Sequence, residues 1–499
     1  MNTRACGWLP LLGVTAMTGG AAAAPPDAPS MAPTVSGMQA RVARLMAADA
    51  GAWTPAQLAS MKRLRDAALD DDYALTQLRH LSENIGPRLS GSPQAEQAVQ
   101  YVAAQMRALG AAVTLETSRV PHWVRGTETG ALVEWAGMTP GTRQKIVLTA
   151  LGGSVATPAD GVTAPVVAVR SFEEFRRLPP GGVKGKIVLF NHRFDVQLAA
   201  QGLGSDAYGQ AVVYRAAGPG IAGAAGAAAV LVRSVGGADF RLPHTGQTFY
   251  DPAAPKIPAA AVTAEDADLI ADLAAAGPLR MHLVLTPQTF APIESANVIA
   301  DWRGSTHPEQ VVIVSGHLDS WDLGTGAIDD GAGVAVSMQA VHLLQKLGLH
   351  PERTVRFIAW MAEEEGSVGA ATYAAEHAGE IGLHVAAVET DLGADHPTGI
   401  IYAGKPELGD WLRPVARELE PTGAATVTRG EEAGSDIAAL GAQGVPGFAP
   451  RQDSRFYFNY HHTAADTFDK VDPVQLGQTA AVVSVLAYAL ADSATLAPR

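Results

Sequence analysis

The 499-residue sequence is short of cysteine, of basic residues and of long apolar runs, and each shortage excludes a class of function. A single cysteine, Cys6, cannot form an internal disulfide or a thiolate metal site. Thirty-six lysines and arginines stand against fifty aspartates and glutamates, a formal net charge of −14. A balance this acidic lacks the positive footprint needed to hold a nucleic-acid backbone or an anionic membrane surface. The apolar runs Ile221 to Val232 and Ala480 to Leu490 both fall short of the roughly 18 residues a spanning helix needs, so no membrane span is expected.

What is present is a hydrophobic fraction of 47%, enough for packed structure, over a length that suggests two or three domains of roughly 100 to 200 residues. The first thirty residues carry Arg4, an apolar stretch from about Gly7 to Met17 and small residues at Ala21 to Ala24, followed by Pro25 and Pro26. That is the layout of a secretory signal peptide over residues 1–24. Its removal would take Cys6 with it and place a thiol-free chain in a secreted or periplasmic setting. Cys6 precedes the apolar stretch and is therefore badly placed for a lipid anchor.

Helical signals run from Met38 to about Gly110: Thr54-Pro55-Ala56-Gln57 reads as a capping box, and Ser92-Pro93 opens a helix that Gly110 stops. Strand-like runs follow, Val113 to Val120, Ala131 to Trp135 and Lys145 to Leu151. Residues 25–150 therefore read as an α/β stretch. From 151 to 290 the texture changes to short strands, Gly- and Ala-rich stretches around Gly218 to Ala229 and a helix capped by Thr263, with few clustered acids or histidines. This reads as an inserted module that shapes access more than it performs chemistry. Over 291–499, strands at Val311–Ser315, Thr354–Met361 and Val385–Val388 alternate with helices. Such alternation implies an α/β fold with a mostly parallel sheet flanked by helices, and in open sheets of this kind ligands sit beyond the carboxyl ends of the strands.

The acids appear at those ends. After the first strand come Ser315-Gly-His317-Leu-Asp319-Ser-Trp-Asp322 and Ile328-Asp329-Asp330-Gly-Ala-Gly333; after the second, Glu363-Glu364-Glu365-Gly366; after the third, Glu389-Thr-Asp391-Leu-Gly393. A late loop adds Tyr460-His461-His462-Thr463-Ala-Ala-Asp466-Thr467. Nitrogen and carboxylate ligands without thiolate suit Zn²⁺ or a similar divalent ion, and a shared carboxylate would hold two ions about 3.5 to 4 Å apart. Asp329, Glu364 and Asp391 with one hydroxide would balance the charge of two Zn²⁺. Without metal the same edge is a set of mutually repelling acids. Each piece alone is weak, since a glutamate triplet is usually a solvated helix start and a lone histidine is usually structural. Their joint occurrence at consecutive strand ends is strong.

The segments GHLDSWDLGTGAIDDGAG, AEEEGSVGA, ETDLG and HHTAADTF together resemble the co-catalytic zinc exopeptidases that include leucyl aminopeptidases and glutamate carboxypeptidase, with a protease-associated domain inserted between two parts of the catalytic domain. RLPHTG at Arg241 to Gly246, PKIPAAAVTAEDADL at Pro255 to Leu269 and FYFNYHH at Phe456 to His462 extend the resemblance to roughly residues 60 to 490. It implies a catalytic domain built from 25–150 and 291–499 with the β-rich protease-associated domain at 151–290. It also implies two Zn²⁺ per chain, His317 and Asp391 completing one, Glu364 and His462 the other, and Asp329 bridging them. His462 is preferred to His461 because the family's ligand directly precedes the pattern matched by Thr463 to Thr467.

The resemblance further implies Glu363 as general base, Asp319 as the carboxylate orienting His317, and a cis peptide between Asp329 and Asp330. His461 stands where relatives place a tyrosine and is a candidate donor to the polarised carbonyl oxygen. Ser435 and Asp436 fall where relatives contact substrate, with a plain helix N-cap as the competing reading. His80, His122, His192, His244, His282, His342 and His384 have no acidic partner at ligand spacing and are expected to be structural or surface groups. The implied activity is release of single residues from short unblocked peptides, carboxypeptidase- or dipeptidase-like, with an aminopeptidase as the alternative. A non-catalytic receptor-like relative predicts erosion of the ligands, all of which are present, and a glutaminyl-cyclase-like acyl transferase would lack the inserted domain. The resemblance leaves a homodimer open.

Overall fold

The computed structural model describes residues 53–499. The signal-peptide segment and the helical pattern from Met38 to residue 52 lie outside the described residues.

Local sequence signals set the helix ends. Thr54 accepts a hydrogen bond from the Gln57 backbone while the Gln57 side chain accepts from the Thr54 backbone, so the helix Pro55–Leu69 opens on a complete capping box. Ser92 caps Pro93–Ala108, and Thr263 caps Ala264–Ala276. In chain order the strands are β1 Ala112–Val124, β2 Glu128–Glu134, β3 Gln144–Ile146, β4 Leu148–Ala150, β5 Val162–Val169, β6 Ile187–Phe190, β7 Ala229–Arg233, β8 Ala259–Val262, β9 Arg280–Leu285, β10 Gln288–Trp302, β11 His307–His317, β12 Arg353–Trp360, β13 His384–Glu389, β14 Pro397–Ala403, β15 Thr426–Arg429 and β16 Gly447–Gln452.

They form two mixed sheets. The first has the order β1-β10-β12-β11-β13-β16-β14-β15, and its centre, β12, β11, β13 and β16, is parallel. Strands β11 and β13 are buried on both faces, which accounts for their unbroken runs of Val, Ile and Ala. The helices Pro55–Leu69, Ala332–Lys346 and Pro473–Asp492 pack against one another within the large core that covers this sheet. Pro473–Asp492 is long and apolar enough to cross a membrane, longer than the run from Ala480 expected from the sequence. Its side chains from Thr479 to Ala491 are buried in that core.

The second sheet has the order β3-β2-β9-β5-β6-β7-β8-β4. It corrects the expected boundary at residue 150: β1 pairs with β10 in the first sheet, but β2 pairs with β9 and β4 with β8 in the second. The chain leaves the first sheet near residue 125 and returns between β9 and β10, because the strand-like runs after Val124 find their apolar partners in the module. The Gly- and Ala-rich stretch also folds differently from its appearance. Residues Gly204–Ala224 form a 21-residue helix with Pro219 inside it. Close packing outweighs the poor helix propensity of glycine there, since a Cβ at Gly218 would lie 2.9 Å from the Phe190 ring and one at Gly223 2.8 Å from the Pro255 carbonyl.

Candidate active site

The parallel strands β11, β12 and β13 end at one edge, so the residues just beyond them converge. His317 ends β11, Glu363 and Glu364 follow β12, and Asp391 follows β13. Asp329 reaches the same place from the turn before Ala332–Lys346. There Asp330 accepts from the backbone N–H of His317 (3.0 Å) and of Gly333 (2.9 Å), tying strand end to helix start. A Cβ at Gly316 would lie 2.5 Å from the Asp330 carboxylate, so that close approach requires glycine. The Asp329–Asp330 peptide is cis.

Two groups hold this turn in place. Asp466 accepts from the backbone N–H of Ala327 and Ile328, both at 2.8 Å. Arg88, fully buried, donates to the carbonyls of Leu318 (2.7 Å), Thr325 (2.9 Å) and Gly326 (2.8 Å). Three non-glycine residues with left-handed backbone, Ala362, Ser367 and His462, lie in or beside the site. Strain held in this way clusters where the surrounding structure overdetermines the geometry.

The side chains form two triads that share Asp329. His317 Nε2 lies 3.3 Å from Asp329 Oδ1 and 3.4 Å from Asp391 Oδ1. His462 Nε2 lies 3.2 Å from Asp329 Oδ2 and 2.9 Å from Glu364 Oε2. In each triad one ligand atom per residue falls within 4.8 Å of the others. Asp329 Oδ2 and Glu364 Oε1 are buried acceptors without a hydrogen-bond partner. Burial pushes the Glu364 carboxyl up to about 8, against the pull of His462, and Asp391 up to about 6, against the pull of His317. Burial opposes charge on the His317 imidazole, but Asp329 and Asp391 hold it well above its ordinary value. Orphaned oxygens and raised carboxyls facing imidazole nitrogens in two adjoining sets fit divalent cations, and oxygen with nitrogen donors fits zinc.

Asp319 is placed differently from the expectation. His317 Nδ1 donates to the Asp319 backbone carbonyl at 3.0 Å, while the Asp319 carboxylate lies 3.9 Å away. That carboxylate instead accepts from the backbone N–H of Glu363 (3.1 Å) and Glu364 (3.2 Å). It therefore steers the turn that presents Glu363 and Glu364, and the carbonyl fixes the histidine tautomer.

A cavity of about 580 Å³ opens over the triads, lined by Glu363, Glu364, Asp329, Asp391, His461 and His462. Ser435 also lines it. Asp436 does not: it is buried behind the wall with both carboxylate oxygens unpartnered, and burial beside Glu389 raises its pKa well above the ordinary value. The N-cap reading fails as well, since no side chain caps the short helix Ala438–Gly441. Glu389 holds this loop from beneath, accepting from Ile437 N–H at 2.8 Å.

The inserted module contributes residues that sequence reasoning did not single out. Ser205, Tyr208, Arg215, Gln247 and Phe249 all line the cavity. Arg215 is buried against Gly246, where a Cβ would lie 2.2 Å from its guanidinium, and its Nη1 sits 3.1 Å from His462 Nδ1. His244, expected to be a structural or surface group, lies beside the centre with His461 and His462. His244 lies in the Arg241 to Gly246 segment that carries the resemblance, but nothing local gives it or the others a place at the site, because each meets it through the docking of the module on the catalytic sheet.

Known proteins align with this arrangement. Residues 297–487 match the model of peptidase family M28, and residues 162–270 match the PA domain. The chain is 38% identical to carboxypeptidase Q of Mus musculus over 421 residues, covering 84% of this chain and 86% of that protein. Its identity to carboxypeptidase Q of Homo sapiens is also 38%, with 84% and 85% covered. The structure of a peptidase M28 precursor from Shewanella amazonensis superposes with a TM-score of 0.83 at 35% identity, covering 89% of this chain and 98% of that one. An aminopeptidase from Aneurinibacillus shares the fold, with a TM-score of 0.59 at 22% identity and coverage of 88% and 98%. The chain belongs to peptidase family M28 and is a metallo-exopeptidase carrying an inserted PA domain.

Proposed function

We propose that this enzyme is an exported dizinc carboxypeptidase that acts on dipeptides and short unblocked peptides. One zinc would be held by His317 and Asp391, the other by Glu364 and His462, with Asp329 shared. Bound zinc supplies a Lewis acid for the scissile carbonyl and brings the pKa of water down to about 7.

The chain's own residues do the rest. Glu363 lines the cavity beside both triads without belonging to either, and Asp319 fixes the turn that carries it. It takes the proton of the attacking water and returns it to the leaving nitrogen as the peptide C–N bond breaks. Tyr208 and Phe249 of the inserted module add aromatic surface to the cavity lining, against which a substrate side chain can pack.

Arg215 carries the choice of peptide end. Among the described residues it is the one lysine or arginine lining the cavity, and it touches the far nitrogen of His462. A guanidinium one imidazole away from the reacting centre leaves room for about a single residue, since an extended residue spans about 3.3 to 3.6 Å. It therefore suits the free carboxylate of a C-terminal residue, held by a charge-assisted pair. The alternative, recognition of the free amine, rests on Glu432, an exposed acid that also lines the cavity.

Blocked dipeptides separate the two readings. Arg215→Gln should raise KM for a free dipeptide about 10- to 100-fold, as expected for loss of a charged hydrogen bond worth about 1.5 to 3 kcal/mol. The wild type should accept an N-acylated dipeptide and reject its C-amidated twin. Rejection of the acylated peptide with turnover of the amidated one would establish the aminopeptidase reading instead.

A further inference from the structure

We propose that His244, on the inserted PA domain, is a positioning residue of the metal centre: it fixes the ring of His461 so that His461 presents a bare Nε2 toward Asp329 as an additional nitrogen donor. The inference rests on the assignment of the two triads as the zinc site.

His244 belongs to the segment Arg241 to Gly246, and the docking of this loop is specific. Its backbone N–H donates to Ser234 Oγ at 3.0 Å, and the next residue, Thr245, donates its backbone N–H to the His462 carbonyl at 2.9 Å. A Cβ at Gly236 would lie 2.3 Å from the Phe458 carbonyl and 2.8 Å from the His244 ring, so the glycine allows module and catalytic loop to meet. His244 itself has no solvent exposure.

The proton positions follow from the partners. His244 Nδ1 lies 3.0 Å from the Thr245 carbonyl, which only accepts, so Nδ1 carries hydrogen. His244 Nε2 lies 3.1 Å from His461 Nδ1. Among the described residues the hydrogen-bond partners of buried His244 are Ser234, Thr245 and His461, none of them an acid, so an imidazolium there would lack compensation. The neutral ring keeps its Nε2 bare and accepts from His461 Nδ1–H. With Nδ1 engaged in this way, His461 turns Nε2 toward Asp329 Oδ2 at 3.4 Å, the same buried oxygen that His462 Nε2 faces at 3.2 Å. Two imidazole nitrogens converging on one carboxylate oxygen fit a shared divalent cation. This replaces the expectation of His461 as an oxyanion donor, because its Nδ1 is engaged by His244 and its Nε2 faces Asp329.

The arrangement makes the PA domain part of the centre. Metal-bound histidines are commonly held by a hydrogen bond at the other ring nitrogen, and losing such a partner costs about 10- to 100-fold in metal affinity.

Zinc retention against graded chelator, followed by elemental analysis, tests the relay in the full-length protein. His244→Leu and His461→Ala should each weaken one of the two ions about 10- to 100-fold and leave the other unchanged. The double variant should lose no more than the single ones, and His244→Gln, whose amide oxygen accepts a hydrogen bond, should retain zinc as the wild type does. Unchanged zinc retention in folded His244→Leu overturns the proposal, including the case where only the unfolding temperature of the zinc-free protein falls. Glu364→Ala is the control: if it too keeps both ions, the assignment of the site itself fails, whereas its loss beside intact His244 and His461 variants removes only the relay.

Discussion

Glu363→Gln is expected to lower kcat on a free dipeptide by about 10² to 10⁴-fold while the protein keeps its zinc. The magnitude is that of a lost general base. The selectivity comes from the geometry: neither triad includes Glu363, so the substitution leaves every ligand atom in place. Glutamine has nearly the shape of glutamate and keeps its backbone N–H on Asp319, so the turn that also presents Glu364 should not move. Steady-state kinetics with elemental analysis of the same sample checks it. Wild-type turnover by a zinc-loaded Glu363→Gln would show that the proton travels by another route.

Asp329→Ala should empty both metal sites at once. Each triad contains Asp329, one through Oδ1 and the other through Oδ2. Its removal leaves His317 with Asp391 on one side, two protein ligands where a catalytic zinc keeps three, and takes from the other side the carboxylate oxygen on which His461 and His462 both converge. Zinc content should fall toward zero and peptidase activity to background. Asp329→Asn is the sharper variant, because the amide preserves volume but offers only one oxygen. It should weaken the two sites unequally, which chelator titration resolves. Loss of a single ion in Asp329→Ala would mean that the carboxylate is not shared.

Much of the site was legible because it is written in local segments. His317, Glu364 and Asp391 sit just beyond buried apolar strands, and a parallel sheet brings such ends together without further information. The caps at Thr54, Ser92 and Thr263 were legible for the same reason, since each is decided within four residues. Contacts between segments were not. His244 and His461 are 217 residues apart, and no periodicity links them. Arg215 is one of 36 basic residues in the sequence, and only its place on the Gly204–Ala224 helix, itself hidden by glycine and proline, turns it toward the centre. The exchange of the Asp319 carboxylate for its carbonyl at His317 was equally out of reach, because both atoms belong to the same residue. The start of the inserted module near residue 125 depended on which sheet β2 to β4 would join.

The PA domain therefore has a larger part than its composition suggested. It lines part of the cavity, supplies the one lysine or arginine there among the described residues and places an imidazole against the loop that carries His461 and His462. An exopeptidase needs a group that measures the distance from a chain end to the scissile bond, and in the proposed reading that group, Arg215, comes from a different domain than the proposed ligands do.

The most direct measurement combines zinc content per chain with hydrolysis, on one preparation, of a free dipeptide and of its C-amidated twin. Two zinc ions per chain, loss of turnover on chelation with recovery on adding zinc, and cleavage of the free dipeptide alone are the predicted results. A fully active enzyme with one zinc, or equal cleavage of the amidated peptide, would contradict the account.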